Sequence, residues 1–261
     1  MAQKTFNIDT ICVTGRPDYE VLDKTGAIAV PIYQSATFAH PALGMSTGYD
    51  YSRLKNPTRD YLEQLVASLD HAQFGFAFNC GLAAVTALFD ALILNEKKGE
   101  VFHVICSDDL YGGTERFLNT IGQKLGFETT YVDTSNLDNI KSAKRENTKI
   151  IFVETPGNPL MKVTDLALTS EYAHSIDALL IVDNTFLTPY LQQPIALGAD
   201  VVVQSGTKFL CGHNDTLAGF VTTNNKKIAE NLEIITKTTG SALSAFDSYL
   251  LVRGIKTLAV R

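Results

Sequence analysis

Two apolar segments, ALLIVDN (178–184) and ADVVVQS (199–205), decide the fold class of this chain. Neither alternates polar with apolar residues, and an unbroken apolar run of this length predicts a strand buried on both faces. Helical patterns at 81–94 and 114–126 alternate with further strand patterns such as KIIFVE (149–154). Strands that alternate with helices predict an α/β fold, in which a mostly parallel mixed sheet lies between two layers of helices.

Composition narrows the class of protein. The chain has 261 residues, of which 45% are hydrophobic, and a formal net charge of -6. Acidic and basic residues are interspersed, which argues against a nucleic-acid or anionic-membrane partner. The N-terminal segment lacks the apolar core of a signal peptide, and no apolar run reaches the length of a membrane span. Four widely separated cysteines are typical of reduced thiols, so we expect a cytoplasmic protein.

Regular periodicity begins only after residue 60. Residues 1–60 scatter Gly, Pro, Tyr and Ser without a helical or strand period, so we predict an arm that lies on another surface. Residues 61–250 carry the regular pattern and are predicted to form one large domain. Within it, LAGFVTT (217–223) predicts an additional, antiparallel strand.

Polar residues follow five of the predicted strands at the point where each strand ends. Ligands bind beyond the carboxyl ends of the strands in open sheets of this kind, so these residues form the candidate site. They occupy positions 79–81, 107–114, 154–159, 183–185 and 205–208. The five histidines show no metal-ligand spacing, so we expect no metal site.

Lys208 most needs an explanation, because an ammonium placed directly after a buried strand is costly without a partner. Ser205 and Lys208 match the S-x-x-K motif of serine acyl-enzymes. The S-D-N motif that should accompany it is absent, and K-T-G occurs only far upstream, at 24–26. A lysine amine in an apolar pocket has a lowered pKa and can attack a carbonyl, and pyridoxal phosphate carries such a carbonyl.

Pyridoxal phosphate makes three further demands that this sequence meets. Its ring nitrogen has to stay protonated, which a buried carboxylate such as Asp183 favours. Its ring face suits an aromatic partner, and Tyr111 lies at a predicted strand edge. Its phosphate needs donors without bulk, such as a helix N-terminus and small hydroxyls. The candidate donors are the backbone N–H groups of Gly81 and Leu82 and the hydroxyls of Ser205 and Thr207.

Six short motifs carry a resemblance to a known family. They are YDYSRLKNPTR (49–59), LYGGT (110–114), FVETPGNPL (152–160), VDNTF (182–186), QSGTKFLCGHND (204–215) and RGIKTL (253–258). In this order they resemble the Cys/Met-metabolism family of pyridoxal-phosphate-dependent enzymes, which includes cystathionine γ-synthases, cystathionine β- and γ-lyases and methionine γ-lyases. The resemblance covers almost the whole chain. It implies the fold of the fold-type I PLP-dependent transferases, with pyridoxal 5'-phosphate as cofactor.

The resemblance also implies a role for each candidate residue. Lys208 is similar to the lysine that bonds to the cofactor aldehyde, and Asp183 to the partner of the ring nitrogen. Tyr111 resembles the tyrosine that stacks on the ring and helps to move protons, and Asn158 the residue near the phenolic oxygen. The phosphate cradle is matched by Gly81, Leu82, Ser205 and Thr207.

Two residues of the N-terminal segment are expected to contribute to the site of a different subunit. Tyr51 and Arg53 resemble the pair that reaches the cofactor phosphate of a neighbouring subunit. The resemblance therefore implies that residues 1–60 complete another protomer's site. The implied assembly is a homotetramer built from two active dimers, acting on small amino-acid substrates.

The predicted reaction is γ-replacement on an acylated homoserine by cysteine, as in cystathionine γ-synthases, because TGYDYSRLKNPTR (47–59) and GHNDTLAG (212–219) look closest to bacterial members with that activity. Elimination by a cystathionine β- or γ-lyase stays open, since the same residues serve both reactions. So does an inactive fragment or a non-catalytic relative. Relatives continue past the position of Arg261 into a C-terminal domain whose arginine binds the substrate carboxylate. The resemblance therefore implies that residues 251–261 begin this domain, and we expect the domain to be largely absent here.

Overall fold

A seven-stranded sheet forms the centre of the molecule in the computed structural model, which describes residues 6–15, 26–97 and 99–261. The strands are β1 Phe74–Phe78, β2 Phe102–Ser107, β3 Phe127–Val132, β4 Thr148–Glu154, β5 Leu179–Asp183, β6 Val201–Ser205 and β7 Gly219–Thr223. They lie side by side in the order β1-β7-β6-β5-β4-β2-β3. β7 runs antiparallel to β1 and β6, and every other neighbouring pair is parallel. The predicted mixed sheet is confirmed, including its antiparallel strand.

Helices connect most of these strands. They are α1 Ile8–Thr14, α2 Pro57–Leu69, α3 Gly81–Ile93, α4 Gly112–Phe117, α5 Leu137–Ser142, α6 Leu166–Ser175, α7 Thr188–Leu191, α8 Lys226–Thr239 and α9 Ala245–Ile255. Local chemistry explains where several begin. The side chain of Asn56 caps α2, which has Pro57 in its first turn, and Ser244 caps α9. Among the described residues, none of these helices has the length and apolarity to cross a membrane.

The buried strands pack alternate side chains into opposite layers. On β4, Ile150 and Phe152 belong to a core under α3, α4 and α8, whereas Ile151 and Val153 belong to a core under α5 and α6. A third core lies on the same face as the second, under α2 and α9, where Phe220 of β7 packs. Helices thus cover both faces of the sheet. This explains why the strands read as continuous apolar runs, and it confirms the three-layer α/β/α prediction.

The N-terminal segment contributes little regular structure. Between residues 26 and 56 the chain forms only isolated bridges, which join Thr37 to Tyr51 and Ala42 to Met45. The predicted boundaries after residues 60 and 250 fall inside α2 and α9, and these two helices pack against each other. The assignment of residues 1–60 as an arm stays a prediction. Residues 1–5 and 16–25 of it lie outside the described part of the chain.

A buried carboxyl lies under the two strands next to the site. Asp70 follows α2, and its Oδ2 atom accepts hydrogen bonds from Nε2 of Gln204 on β6 and Oγ1 of Thr222 on β7, both at 2.7 Å. Its Oδ1 atom has no hydrogen-bond partner among the described residues. Burial raises the pKa of Asp70 to about 7, because it outweighs these two hydrogen bonds, which lower the pKa.

We expect Asp70→Asn to flatten the dependence of stability on pH. The folded protein holds the Asp70 proton up to about pH 7, whereas the unfolded chain releases it near the ordinary value of 3.8. The free energy of unfolding therefore falls as the pH rises between these values, and the variant lacks this loss. Urea unfolding at a series of pH values should show the variant gaining on the wild type across this window and not above it.

The control is Asp177→Asn, which removes an exposed carboxylate. The salt bridge to Lys149 lowers the pKa of Asp177, so the stability of this variant should not increase relative to that of the wild type as the pH rises. Parallel stability curves for the wild type and Asp70→Asn would contradict the prediction.

Candidate active site

Five polar strand ends share one edge of the sheet. β1 and β6 are both antiparallel to β7, so they point the same way, and β2, β4 and β5 point with them. The order of the parallel strands reverses between β2 and β4, since β3 lies on one side of this pair and β5 on the other. A switch point of this kind leaves a crevice beyond the carboxyl ends, where ligands bind in open sheets.

Lys208 lies beyond this edge of the sheet and lines a cavity. The chain turns directly after β6, and the N–H of Lys208 donates to the carbonyl of Ser205 at 3.3 Å. The cavity has a volume of about 600 Å³. It is lined by Asn79, Thr207, Lys208, Asn214, Asp215, Thr216, Leu217 and Asp247. Among the described residues, none forms a hydrogen bond or an ion pair with the amine of Lys208.

The expectation of an apolar pocket around Lys208 is wrong for this chain. Lys208 is exposed, and most side chains that line its cavity are polar, Asp215 and Asp247 among them. The reason is the turn at 205–208, which carries the lysine out of the sheet instead of burying it against the valines of β6.

Gly81, the first residue of α3, packs directly against Ser205. A Cβ atom built on Gly81 would lie 2.9 Å from the Cβ atom of Ser205, closer than two such atoms can approach. Gly219 of β7 lies opposite Ser205 of β6. A Cβ atom built on Gly219 would lie only 2.2 Å from the carbonyl oxygen of Cys80, the residue before α3. The two glycines thus let the start of α3 cross β7 and reach Ser205.

The N-terminus of α3 presents free donors at this point. The thiol of Cys80 accepts the N–H of Ala83 at 3.4 Å. Among the described residues, nothing accepts the N–H groups of Gly81 and Leu82 or contacts the hydroxyl of Ser205 through a hydrogen bond. Such a group of donors at the start of a 13-residue helix is an anion-binding arrangement.

The Thr207 hydroxyl, in contrast, is already committed. It accepts the N–H of Ala218 at 3.0 Å and donates to the Ala218 carbonyl at 3.3 Å. Thr207 therefore holds the turn beside Lys208 against the start of β7. Its predicted contact with a phosphate stays a prediction.

Two hydrogen bonds through Thr185 connect Asp183 to Ser205, the last residue of β6. The Oδ1 atom of Asp183 accepts the N–H of Thr185 at 3.0 Å, and the hydroxyl of Thr185 accepts the N–H of Ser205 at 2.8 Å. Burial raises the pKa of Asp183, and the hydrogen bonds from Thr185 oppose this increase. A cation beside this carboxylate would stabilise its charged form, which fits the predicted partner of a protonated ring nitrogen.

Tyr111 follows β2 at the same edge and is 50% exposed. Its backbone N–H donates to Oε2 of Glu154 at 2.6 Å, and its ring lies over Gly113, where a Cβ atom would be 2.2 Å from the ring. Asn158 is exposed and lies on the segment after β4. The N–H of Leu160 on this segment donates to the carboxylate of Asp109, which lies on the segment after β2. The stacking role of Tyr111 and the role of Asn158 stay predictions.

Tyr51 and Arg53 lie away from the lysine cavity. The guanidinium of Arg53 is 5.3 Å from the ring centroid of Tyr51 and donates to the carbonyl of Lys237 near the end of α8. Arg53 lines a second cavity, of about 350 Å³, which has no lining residue in common with the cavity of Lys208. In the described chain these two residues therefore do not line the cavity of their own Lys208.

Sequence reasoning missed several residues that build this edge. The sequence marks Thr185 only as part of a strand end, although its backbone N–H and hydroxyl connect Asp183 to Ser205. Gly219 gave no local signal, since its importance comes from the crossing of α3 over β7. Asp247 lines the cavity and accepts a hydrogen bond from Thr216 at 2.6 Å, but it lies outside all six motifs. Only contacts between distant segments mark such residues.

Comparison with known proteins shows the family of this chain. Residues 9–261 match the family described as Cys/Met metabolism PLP-dependent enzyme. The chain belongs to this family. A cystathionine gamma-lyase of Bacillus subtilis is 49% identical over 92% of the chain and 62% of its own length. A cystathionine beta-lyase of Lactococcus lactis is also 49% identical, over 91% of the chain and 61% of its own length.

A solved structure shows the same fold. The cystathionine gamma synthase of Xanthomonas oryzae pv. oryzae, in complex with aminoacrylate and cysteine, superposes with a TM-score of 0.91 at 32% identity. The superposition covers 99% of this chain and 65% of that one. The chain thus spans less than two thirds of the length of these relatives.

The edge of the sheet fits the cofactor of the Cys/Met-metabolism family, pyridoxal phosphate. The free N–H groups of Gly81 and Leu82 and the Ser205 hydroxyl suit its phosphate, and Asp183 suits its ring nitrogen. The unpartnered amine of Lys208 suits its aldehyde. No cluster of side chains capable of holding a metal ion occurs in the described ranges.

We expect Gly81→Ala to weaken pyridoxal phosphate binding without unfolding the protein. The added methyl group would force Ser205 or the start of α3 to move, which displaces the anion-binding N–H groups. Fluorescence titration should show a dissociation constant raised about tenfold or more, as for the loss of one charge-assisted hydrogen bond.

Lys226→Ala is the control, because Lys226 is also the first residue of a helix, α8, but is exposed and lies outside the candidate site. Equal affinity in both variants would show that the contact of Gly81 with Ser205 does not shape the phosphate site.

Proposed function

We propose that this chain binds pyridoxal phosphate through Lys208 and uses it to make or break a carbon–sulfur bond of a sulfur amino acid. The single observation that carries this proposal is the meeting, at one sheet edge, of an unpartnered lysine amine, a half-buried carboxyl and an anion-binding helix start. Lys208, Asp183 and the Gly81–Ser205 contact provide these three features. No single one of them would suffice.

Each residue has a distinct task in the proposed reaction. Pyridoxal phosphate, when bound, supplies an electron sink that makes the Cα proton of an amino acid acidic. Once the amine of the substrate has replaced it at the cofactor, the Nζ atom of Lys208 would take this proton, since it lines the cavity and has no competing partner among the described residues. Asp183 holds the proton on the ring nitrogen through its negative charge. The N–H groups of Gly81 and Leu82, with the Ser205 hydroxyl, fix the phosphate and so orient the ring.

Two outcomes can follow removal of the Cα proton. The motifs of the sequence predict γ-replacement on an acylated homoserine by cysteine, and the likeness to the Xanthomonas oryzae cystathionine gamma synthase supports it. The two relatives at 49% identity are named as cystathionine lyases, which favours elimination from cystathionine. Identity to these lyases is 49%, against 44% to a cystathionine gamma-synthase/O-acetylhomoserine (thiol)-lyase of Bacillus subtilis, so we take elimination as the first candidate and γ-replacement as the second.

We also propose that Tyr51 and Arg53 act on a neighbouring subunit of a homotetramer. Both residues are exposed, they contact each other, and Arg53 is attached to the carbonyl end of α8. A guanidinium held in this way can meet the phosphate of a second chain.

We expect the purified protein to be yellow with added pyridoxal phosphate and to become colourless with borohydride. Peptide mass analysis should then find the cofactor on Lys208, because only a lysine bonded to the aldehyde is fixed by reduction. Lys208→Ala should abolish the label, whereas Lys226→Ala, at an exposed lysine of α8, should keep it. A wild-type protein that stays colourless would sink the cofactor assignment, and with it the catalytic proposal.

The reaction itself is decided by products. We expect cofactor-loaded protein to release ammonia and a 2-oxo acid from cystathionine, as in elimination. Incubation with O-acetylhomoserine and cysteine tests γ-replacement, whose product is cystathionine. Cystathionine formed in the second incubation, without 2-oxo acid in the first, would reverse the order of the two candidates. A yellow protein inactive in both would indicate a binding fragment without turnover.

A further inference from the structure

Glu154, the last residue of β4, is a buried carboxyl that the proposed reaction leaves without a task. It is only 8% exposed. Its Oε2 atom accepts the N–H of Tyr111 at 2.6 Å, and its backbone N–H donates to Oγ of Ser107 at 3.3 Å. Ser107 ends β2 and Tyr111 follows it. Glu154 therefore connects β4 to the chain after β2 across the point where the strand order reverses.

The hydrogen bond from Tyr111 to Glu154 fixes the backbone from which the tyrosine ring projects. The carbonyl of Tyr111 accepts the N–H groups of Thr114 at 2.9 Å and Glu115 at 3.2 Å, which starts α4. This helix has no side-chain cap. The backbone of Tyr111 is thus held by α4 on its carbonyl side and by Glu154 on its N–H side. Loss of the Glu154 side chain would remove the hydrogen bond that fixes the N–H side of Tyr111.

Glu154 also stands beside Asp183. The two residues are opposite each other in the parallel register of β4 and β5. The titratable groups that face Glu154 are Asp183 from β5 and Asp109 from the segment after β2, and both are acidic. Burial first, and then the charge of Asp183, raise the pKa of Glu154 to about 8, against the effect of the N–H of Tyr111.

The pair of carboxyls can carry one negative charge at neutral pH more easily than two. Repulsion between adjacent buried carboxylates disfavours the doubly ionised state. A protonated ring nitrogen beside Asp183 favours an ionised Asp183, so the shared proton stays on Glu154.

We propose that Glu154 is a positioning residue, which as a neutral carboxyl holds the backbone of Tyr111 at the sheet edge and leaves Asp183 as the single anion facing the cofactor ring. The first half concerns the protein alone. The second half rests on the proposed function, because it names the ring nitrogen as the partner of Asp183.

The hold on Tyr111 is tested without cofactor, by hydrogen exchange at its amide. Glu154→Ala should speed this exchange about tenfold, since one hydrogen bond to a buried acceptor is lost. Glu154→Met fills the space without an acceptor and should do the same, so the test survives if the alanine variant folds poorly. Glu154→Gln should restore most of the protection, because its amide oxygen can accept the same bond.

Glu171→Ala, at an exposed glutamate of α6, is the control and should leave the exchange of Tyr111 unchanged. Wild-type exchange rates at Tyr111 in both Glu154→Met and Glu154→Ala would overturn the anchoring half of the proposal.

The charge is tested through cofactor affinity at a series of pH values. The dissociation constant of pyridoxal phosphate for Glu154→Gln, divided by that for the wild type, cancels the titration of the cofactor itself. We expect this ratio to be level below about pH 7 and to rise several-fold across about pH 8. Above that pH the wild type gains a second anion near the ring nitrogen, and the variant does not.

A level ratio from about pH 6 to pH 9 would overturn the neutral-carboxyl half. Failure of the wild type to bind the cofactor at any pH would instead sink the proposed function, and the neutral-carboxyl half with it. Exchange at the Tyr111 amide would still decide the anchoring half.

Discussion

The parallel pairing of β4, β5 and β6 is the constraint on which the candidate site depends. These strands are covered by helices on both faces, so their inner residues have to be apolar, and polar side chains first become possible where each strand leaves the sheet. The register then sets which strand ends are neighbours. Glu154 lies opposite Asp183, and Asp183 opposite Val203, two residues before Ser205. A slip of one residue would turn each of these side chains toward the other face.

Close backbone approach is the second condition. The start of α3 reaches β6 only because Gly81 and Gly219 have no side chains at the crossing. Hydroxyl groups complete the connections at short range, with Thr185 between Asp183 and Ser205, and Thr207 on the start of β7. The helix N-terminus that can bind an anion and the carboxyl that can face a cation are thereby held in one rigid arrangement. A charged but planar cofactor needs such fixed partners at both ends.

The proposed tasks of Lys208, Asp183 and the start of α3 do not distinguish elimination from replacement. In the proposed reaction these residues act on the cofactor and on the Cα proton, which both reactions have in common. The two reactions differ at the carbons beyond Cα and in access of a second amino acid. Relatives with both kinds of name match this chain at 32 to 49% identity, and the chain spans less than two thirds of the length of each.

Much of the molecule was determined by local sequence. The strands, the three layers, the antiparallel strand at 217–223 and the common edge of the polar strand ends all follow from unbroken apolar runs and their spacing, because burial on both faces leaves a simple pattern. Lys208 and Asp183 could be chosen for the same reason, as charged residues next to runs that should exclude charge. Only the tertiary structure decided what surrounds them. It brings together segments that are dozens of residues apart. These contacts form the polar lining of the cavity at Lys208, the close approach of Gly81 to Ser205 and the hydrogen bond from Tyr111 to Glu154. Contacts over such distances leave no periodic pattern in a sequence.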